Sequence, residues 1–241
     1  VIKTMGSFYP ELIEKREHII KVIQLEEESF GKTIDRGIDT FNSIINQLGD
    51  SKQISGKDAF KFLDHLSCNK LPSKDGRIGL TLFHAPNGGI MAEQTISRID
   101  KENFLLMGAI GSEVKDYQWL EWHSDDYDVV IENLTESWGG LLLTGPNARK
   151  ILSQCTQEDL SNNAFSWLSC KTIKIDSASV FAMRVSYAGE LGWELHMPTW
   201  QLISIYESLM EMGEEFGLKD FGGLAFNSMR LEKMYRAYGA E

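Results

Sequence analysis

Hydrophobic spacing in this 241-residue chain changes once, near residue 48, and that change limits the folds open to it. Up to Leu48 the apolar residues Leu12, Ile19, Ile20, Ile23, Phe30, Ile34, Ile38, Phe41, Ile44, Ile45 and Leu48 fall mostly three or four positions apart. An α-helix turns once in about 3.6 residues, so this spacing gathers them into one stripe with Glu and Lys on the opposite face. Gly31 and Gly37 interrupt the stripe, which therefore reads as two or three helices and no strand. After "GDSKQISG" the apolar runs shorten to strand length: "RIGLTLF", "IMAEQTIS", "NFLLMGAI", "DYDVVIEN", "WGGLLLTG" and "SCKTIKI". Helical patterns are interleaved ("GKDAFKFLDHL", "SEVKDYQWLEWH", "PNARKILSQC"), and two amphipathic helices, "TWQLISIYESLMEMGEEFG" and "GGLAFNSMRLEKMYRAYG", close the chain. The expectation is an α+β fold with strands in runs rather than strict βαβ alternation, its first strand no earlier than Arg77.

Composition narrows the function. A formal charge of −11 repels phosphate backbones, and residues 1–50 carry six Lys or Arg against nine Asp or Glu, which speaks against nucleic acid as a partner. No apolar run approaches the roughly 20 residues that span a bilayer, so no membrane is expected. The opening residues lack the charged start and apolar core of a signal peptide. Cys68, Cys155 and Cys170 lie far apart and odd in number, which suits a reducing cytoplasmic setting. The five histidines are scattered, and no metal site is predicted.

One short stretch resists a purely structural reading. "SYAGELGWELH", Ser186 to His196, reads as a turn between two strands, with Gly189 and Gly192 as punctuation. Glu190 does not fit that account, because Asp, Asn or Ser is the common turn residue and its neighbours are aromatic or apolar. From the residues alone the stretch is either a hairpin or a ligand site.

The stretches "GGIMAEQTISR", "EVKDYQWLEWH", "LLLTGPNARKIL", "DLSNNAFSWL", "RVSYAGELGWELH" and "NSMRLEKMYRAYGAE" follow one another in order over the second part of the chain. Through them the chain, from about residue 56 to the end, resembles the folate-binding domain of the glycine-cleavage T-protein (aminomethyltransferase) superfamily. Within that superfamily it looks like the C-terminal part of dimethylglycine and sarcosine dehydrogenases. Residues 1–55, through "YPELIEKREHIIKVIQLEEESFGKTIDRGID", resemble instead the helical tRNA-recognition segment of alanyl-tRNA synthetases. The chain thus reads as a chimera joined near "SGKDAF", Ser55 to Phe60; a natural fusion, a recombined gene and an assembly artefact all fit the letters.

The T-protein resemblance implies a mainly antiparallel sheet and tetrahydrofolate as the cofactor, with a small amine or one-carbon donor as the other partner. It implies that Glu190 meets the amino and N–H edge of the pterin in a charge-assisted pair, with Tyr187 lining the ring. Glu93, in "GGIMAEQTIS", matches the family's catalytic carboxylate, usually Asp, and would steer protonation near the reacting nitrogen. Arg230, in "MRLEK", offers a guanidinium fork to the folate carbonyl or tail, or holds Glu190 in place. Each has a bland alternative: a hairpin aromatic for Tyr187, an exposed strand residue for Glu93, a structural ion pair for Arg230. Trp119 and Trp122 read as core or rim aromatics. Against its families the chain is expected to lack the C-terminal β-barrel, the first strand and helix of the folate domain, and the FAD domain. That expectation implies weak or absent catalysis, with an uncovered apolar surface and a homodimer. A tRNA-interacting fragment and a non-functional chimera are the other readings.

Overall fold

The computed structural model describes residues 14–17, 20, 21, 24 and 51–238. The chain divides into two compact units, Val1–Gln47 and Leu48–Glu241. In the first, Glu14, Arg16, Glu17, Ile20, Lys21 and Gln24 are helical and exposed. The rest of the predicted helical stripe to residue 48 lies outside the described residues.

The second unit opens with a strand, β1 (Ser51–Ser55), which corrects the expectation that none precedes Arg77. It is an inner strand, antiparallel to β4 (Asn103–Met107) on one side and β5 (Val130–Asn133) on the other. "SKQIS" has a single large apolar residue, so no alternation betrays it; its strand state comes from partners on both sides. Lys52 and Ile54 are fully buried. With β2 (Arg77–His84) and β3 (Ile90–Arg98) these strands make a five-stranded sheet of order β2-β3-β4-β1-β5.

The second sheet has the order β6-β9-β8-β7, from β6 (Trp138–Thr144), β7 (Cys170–Ile175), β8 (Ala178–Met183) and β9 (Gly192–Pro198). Every pairing in both sheets is antiparallel, as expected.

Side chains alternate between faces along a strand, so each sheet can bury two faces. One face of the first sheet is covered by helix α1 (Ala59–Leu66), which buries Phe62, Leu63 and Leu66 against Ile54, Ile96, Phe104 and Leu106. Helix α2 (Glu113–Trp122) adds Leu120 to this cluster, with Trp119 packed beside it, while Trp122 stays exposed. Helices α3 (Ala148–Cys155) and α4 (Leu202–Gly213) cover the second sheet, where Ile151, Leu152, Ile205 and Leu209 meet Val180, Trp193 and Leu195. A third cluster joins the sheets to each other through Ile78, Leu105, Cys170, Phe181 and Met183. Fully burying side chains of this size contributes about 1.5–3 kcal/mol each.

Helix α5 (Gly223–Glu232) is different: of its residues only Arg230 is buried. It ends earlier than its apolar pattern predicts, because Met234 adopts a left-handed φ of 61°, which no helix continues through. Among the described residues no helix is long and apolar enough to cross a membrane, and no group of His, Cys, Asp and Glu could hold a metal ion.

Candidate functional site

The site is built where the β8–β9 connection meets the end of α5. After β8 the chain turns through Ser186 to Leu191, with the Gly189 N–H donating to the Ser186 carbonyl at 3.2 Å. Gly189 has a φ of 72°, and a Cβ there would stand 2.3 Å from Cγ of Lys233. Its glycine therefore serves both the turn and a close approach to the residue after α5. Gly192 is constrained differently: a Cβ would come within 2.7 Å of the Leu143 carbonyl on β6.

Glu190 lies at the tip of this turn and lines a cavity of about 260 Å³ with Trp167, Arg184, Ser186, Leu191 and Tyr235. Its carboxylate pairs with Lys233, Nζ to Oε1, at 3.0 Å. Tyr187 is held in a three-ring group: Phe226 approaches edge-on at 5.6 Å, and Tyr235 stacks at 6.1 Å. The Tyr187 hydroxyl donates to the Arg236 carbonyl at 2.5 Å.

Arg230, 5% exposed, reaches the same group from α5. Its Nε donates to Asn227 Oδ1 at 2.8 Å and its Nη1 to the Tyr235 carbonyl at 2.7 Å. The guanidinium carbon sits 5.9 Å from the Tyr187 ring centre, inside the range of a cation–π contact. Tyr187, Glu190 and Arg230 are thus brought into one neighbourhood, although only Glu190 borders the cavity. Tyr187 and Arg230 support it from behind, through Tyr235.

Glu93 stands elsewhere. It lies on β3 of the first sheet, opposite Leu82, and is half-buried; that burial raises its carboxyl pKa above the ordinary value. By strand alternation it shares a face with Ser97, whose hydroxyl contacts Met183 Sδ of the second sheet at 3.7 Å. Glu93 therefore faces toward the second sheet but does not line the cavity of Glu190. Of Glu93, Glu190 and Arg230, which the resemblance gathers around one folate, only Glu190 borders this cavity. Glu93 sits on a strand of the first sheet and Glu190 on a turn of the second, and letter spacing carries no information on how two sheets are offset.

A link between them does exist. The Tyr238 hydroxyl reaches the carbonyls of Ile90 and Met91 at 3.0 Å each, and Lys115 Nζ lies 3.2 Å from that hydroxyl. The stretch Tyr235–Tyr238 thus runs from the Tyr187 group to the strand that carries Glu93.

Sequence reasoning missed Lys233, Tyr235, Trp167 and Arg184. A signal was present for Lys233, which falls three positions after Arg230, the spacing that puts two side chains on one side of a helix end. A second and larger cavity, about 540 Å³, opens beside edge strand β6. Its lining includes His196, whose Nε2 lies 3.4 Å from Glu194, and Tyr206, whose hydroxyl donates to Asp220 at 2.9 Å.

Comparison with known proteins agrees with this architecture. Residues 47–241 match the family model described as the GCVT N-terminal domain, and residues 1–66 match the one described as tRNA synthetases class II (A). The human protein named dimethylglycine dehydrogenase, mitochondrial, is 41% identical over 190 residues, which are 78% of this chain and 22% of that protein. An aminomethyltransferase of Thermoanaerobacter pseudethanolicus is 32% identical over 189 residues, covering 78% of this chain and 51% of its own length. The chain therefore spans about half the length of such aminomethyltransferases and about a fifth of the dehydrogenase. In fold it is similar to the glycine cleavage system aminomethyltransferase T from Bartonella henselae, with a TM-score of 0.67 at 22% identity over 76% of this chain and 48% of that one. With the antiparallel sheets, the Glu190 hairpin and the match over residues 47–241 in place, the chain belongs to the GCVT N-terminal domain family.

Proposed function

We propose that the second unit is a tetrahydrofolate-binding, one-carbon transfer domain of the aminomethyltransferase and dimethylglycine dehydrogenase type. The observation that carries this reading is the carboxylate of Glu190 on a cavity wall, backed by an aromatic group and a buried guanidinium. The donor set suits a reduced pterin: a carboxylate accepts from its amino and ring N–H edge, and Trp167 and Tyr235 give flat walls for the ring. Arg184 also lines the cavity, its guanidinium held in place by the Phe165 carbonyl and by Asn162 Oδ1.

When bound, tetrahydrofolate would accept a one-carbon unit from a small amine at a ring nitrogen. The chain's own part is to bind and orient, through Glu190 and the Tyr187–Arg230 group that holds the turn. Glu93, whose carboxyl burial pushes above its ordinary pKa, keeps its proton to a higher pH than a free carboxyl does. Its place in the reaction depends on the folate reaching from the Glu190 cavity along Tyr235–Tyr238 toward β3.

The N-terminal segment is read as a joined piece of class II synthetase origin. The two family models overlap at residues 47–66, the stretch containing "SGKDAF", which supports reading a join there. Calorimetry with tetrahydrofolate on the wild type and on Glu190→Ala tests the function. Binding lost in the variant, on the order of 2 kcal/mol or more for one partner of a hydrogen-bonded charged pair, supports it. Equal affinities would overturn the site.

A further inference from the structure

Resting on the folate reading above, we infer that Lys233 is a latch on Glu190: it occupies the carboxylate that the ligand edge needs, and ligand binding displaces it. Lys233 Nζ stands 3.0 Å from Glu190 Oε1, within hydrogen-bonding range of the very group assigned to the pterin edge. An ammonium and the amino edge of a pterin are both N–H donors, so they compete for the same carboxylate oxygen.

The contact is built rather than incidental. The Lys233 backbone N–H donates to the Arg230 carbonyl at 3.1 Å, capping α5, so the residue is fixed at the helix end. Its stem lies so close over Gly189 that any side chain there would collide with Cγ. The same short stretch also supplies Arg230 and Tyr235 to the Tyr187 group. Glycine at 189 thus admits the lysine stem across the turn and delivers its charge to the next residue.

The pair is also suited to release. Both side chains remain about two-fifths exposed, 43% for Lys233 and 40% for Glu190, so water can receive the freed ammonium. Exposed pairs of this type hold weakly, and a ligand that adds several contacts outcompetes one. Lys233 therefore acts as a positioning residue. It keeps Glu190 charge-neutralised and aimed in the free protein, and sets the threshold that a ligand must exceed.

Titration calorimetry with tetrahydrofolate on the full chain tests this, using wild type, Lys233→Met, Lys233→Arg, Glu190→Gln and the Lys233→Met/Glu190→Gln double variant. The latch predicts that Lys233→Met binds about threefold to tenfold tighter, that Lys233→Arg stays near wild type, and that the gain vanishes in the Glu190→Gln background. It also predicts that Lys233 is acylated faster by an amine-reactive reagent when tetrahydrofolate is present. Unchanged or weaker binding by Lys233→Met, with Glu190→Gln still impaired, overturns the latch and leaves the folate site standing. Binding unaffected by Glu190→Gln, or absent from every variant, overturns both. Binding by Lys233→Met where the wild type has none supports both.

Discussion

Tyr187 and Tyr235 lie ring over ring, 6.1 Å between centroids and 7° between planes, although one comes from the β8–β9 turn and the other follows α5. The stack joins the two segments that supply Glu190 and Arg230, and Tyr235 also borders the Glu190 cavity. Tyr235→Ala removes the stack and one cavity wall. An aromatic pair contributes about 0.5–1.5 kcal/mol beyond its buried area, so tetrahydrofolate affinity should fall severalfold. The denaturant midpoint should move little, since Tyr235 is 42% exposed. Calorimetry beside a urea titration separates the two effects.

Gly189→Ala should be costly for a residue on a surface turn. The backbone sits at a φ of 72°, and the new methyl would meet Lys233 Cγ at 2.3 Å. Left-handed strain in a non-glycine residue costs roughly 1–3 kcal/mol, to which the collision with the lysine stem adds. We expect a clear drop in melting temperature, smaller in the Lys233→Ala background where the stem is gone.

Glu93 makes stability depend on pH in a definite direction. Burial keeps its carboxyl protonated to a higher pH in the folded chain than in the unfolded one. As pH rises past the unfolded value, about 4.3, the unfolded chain releases its proton first, and the native state loses stability until the folded pKa is passed. Glu93→Gln removes that loss. Its melting temperature should exceed the wild type's at pH 7. The two proteins should melt together near pH 4. A variant that is less stable at pH 7 would show that the carboxylate is held by a partner.

Asp116 anchors α2 to the first sheet. It is 1% exposed and accepts from Gln94 Nε2 and Ser112 Oγ, both at 2.7 Å. Asp116→Ala would leave the fully buried Gln94 amide without that acceptor, a loss of roughly 2–4 kcal/mol. Thermal unfolding followed by circular dichroism would register it as a shift of several degrees.

Much of the second unit was legible because local periodicity and tertiary burial agree there. The patterns "RIGLTLF", "IMAEQTIS" and "WGGLLLTG" became β2, β3 and β6 almost to the residue, and "PNARKILSQC" became α3. Glu190 stood out because its chemistry contradicted its turn. What was not legible depended on contacts between distant segments. β1 carries Lys52 where an apolar residue is expected, so its strand character exists only through β4 and β5. Asp116 and Gln94 were hidden for the same reason: polar letters in amphipathic segments read as solvent-facing until the partner is known. The separation of Glu93 from Glu190 follows from how two sheets stack, which no one-dimensional spacing encodes. Lys233 was overlooked because an exposed lysine after a helix is ordinary until glycine at 189 is seen to make room for it.

The placement of β1 has a consequence for association between copies. It is the earliest strand of its sheet along the chain, yet it fills the slot between β4 and β5, whose strands are made much later. Without it, β4 and β5 would confront each other across a gap, each with a row of unpaired N–H and C=O groups. Two such edges invite strands from neighbouring molecules. The five residues Ser51–Ser55 therefore act as a plug as well as a support, and a copy in which they slip out becomes a template for aggregation.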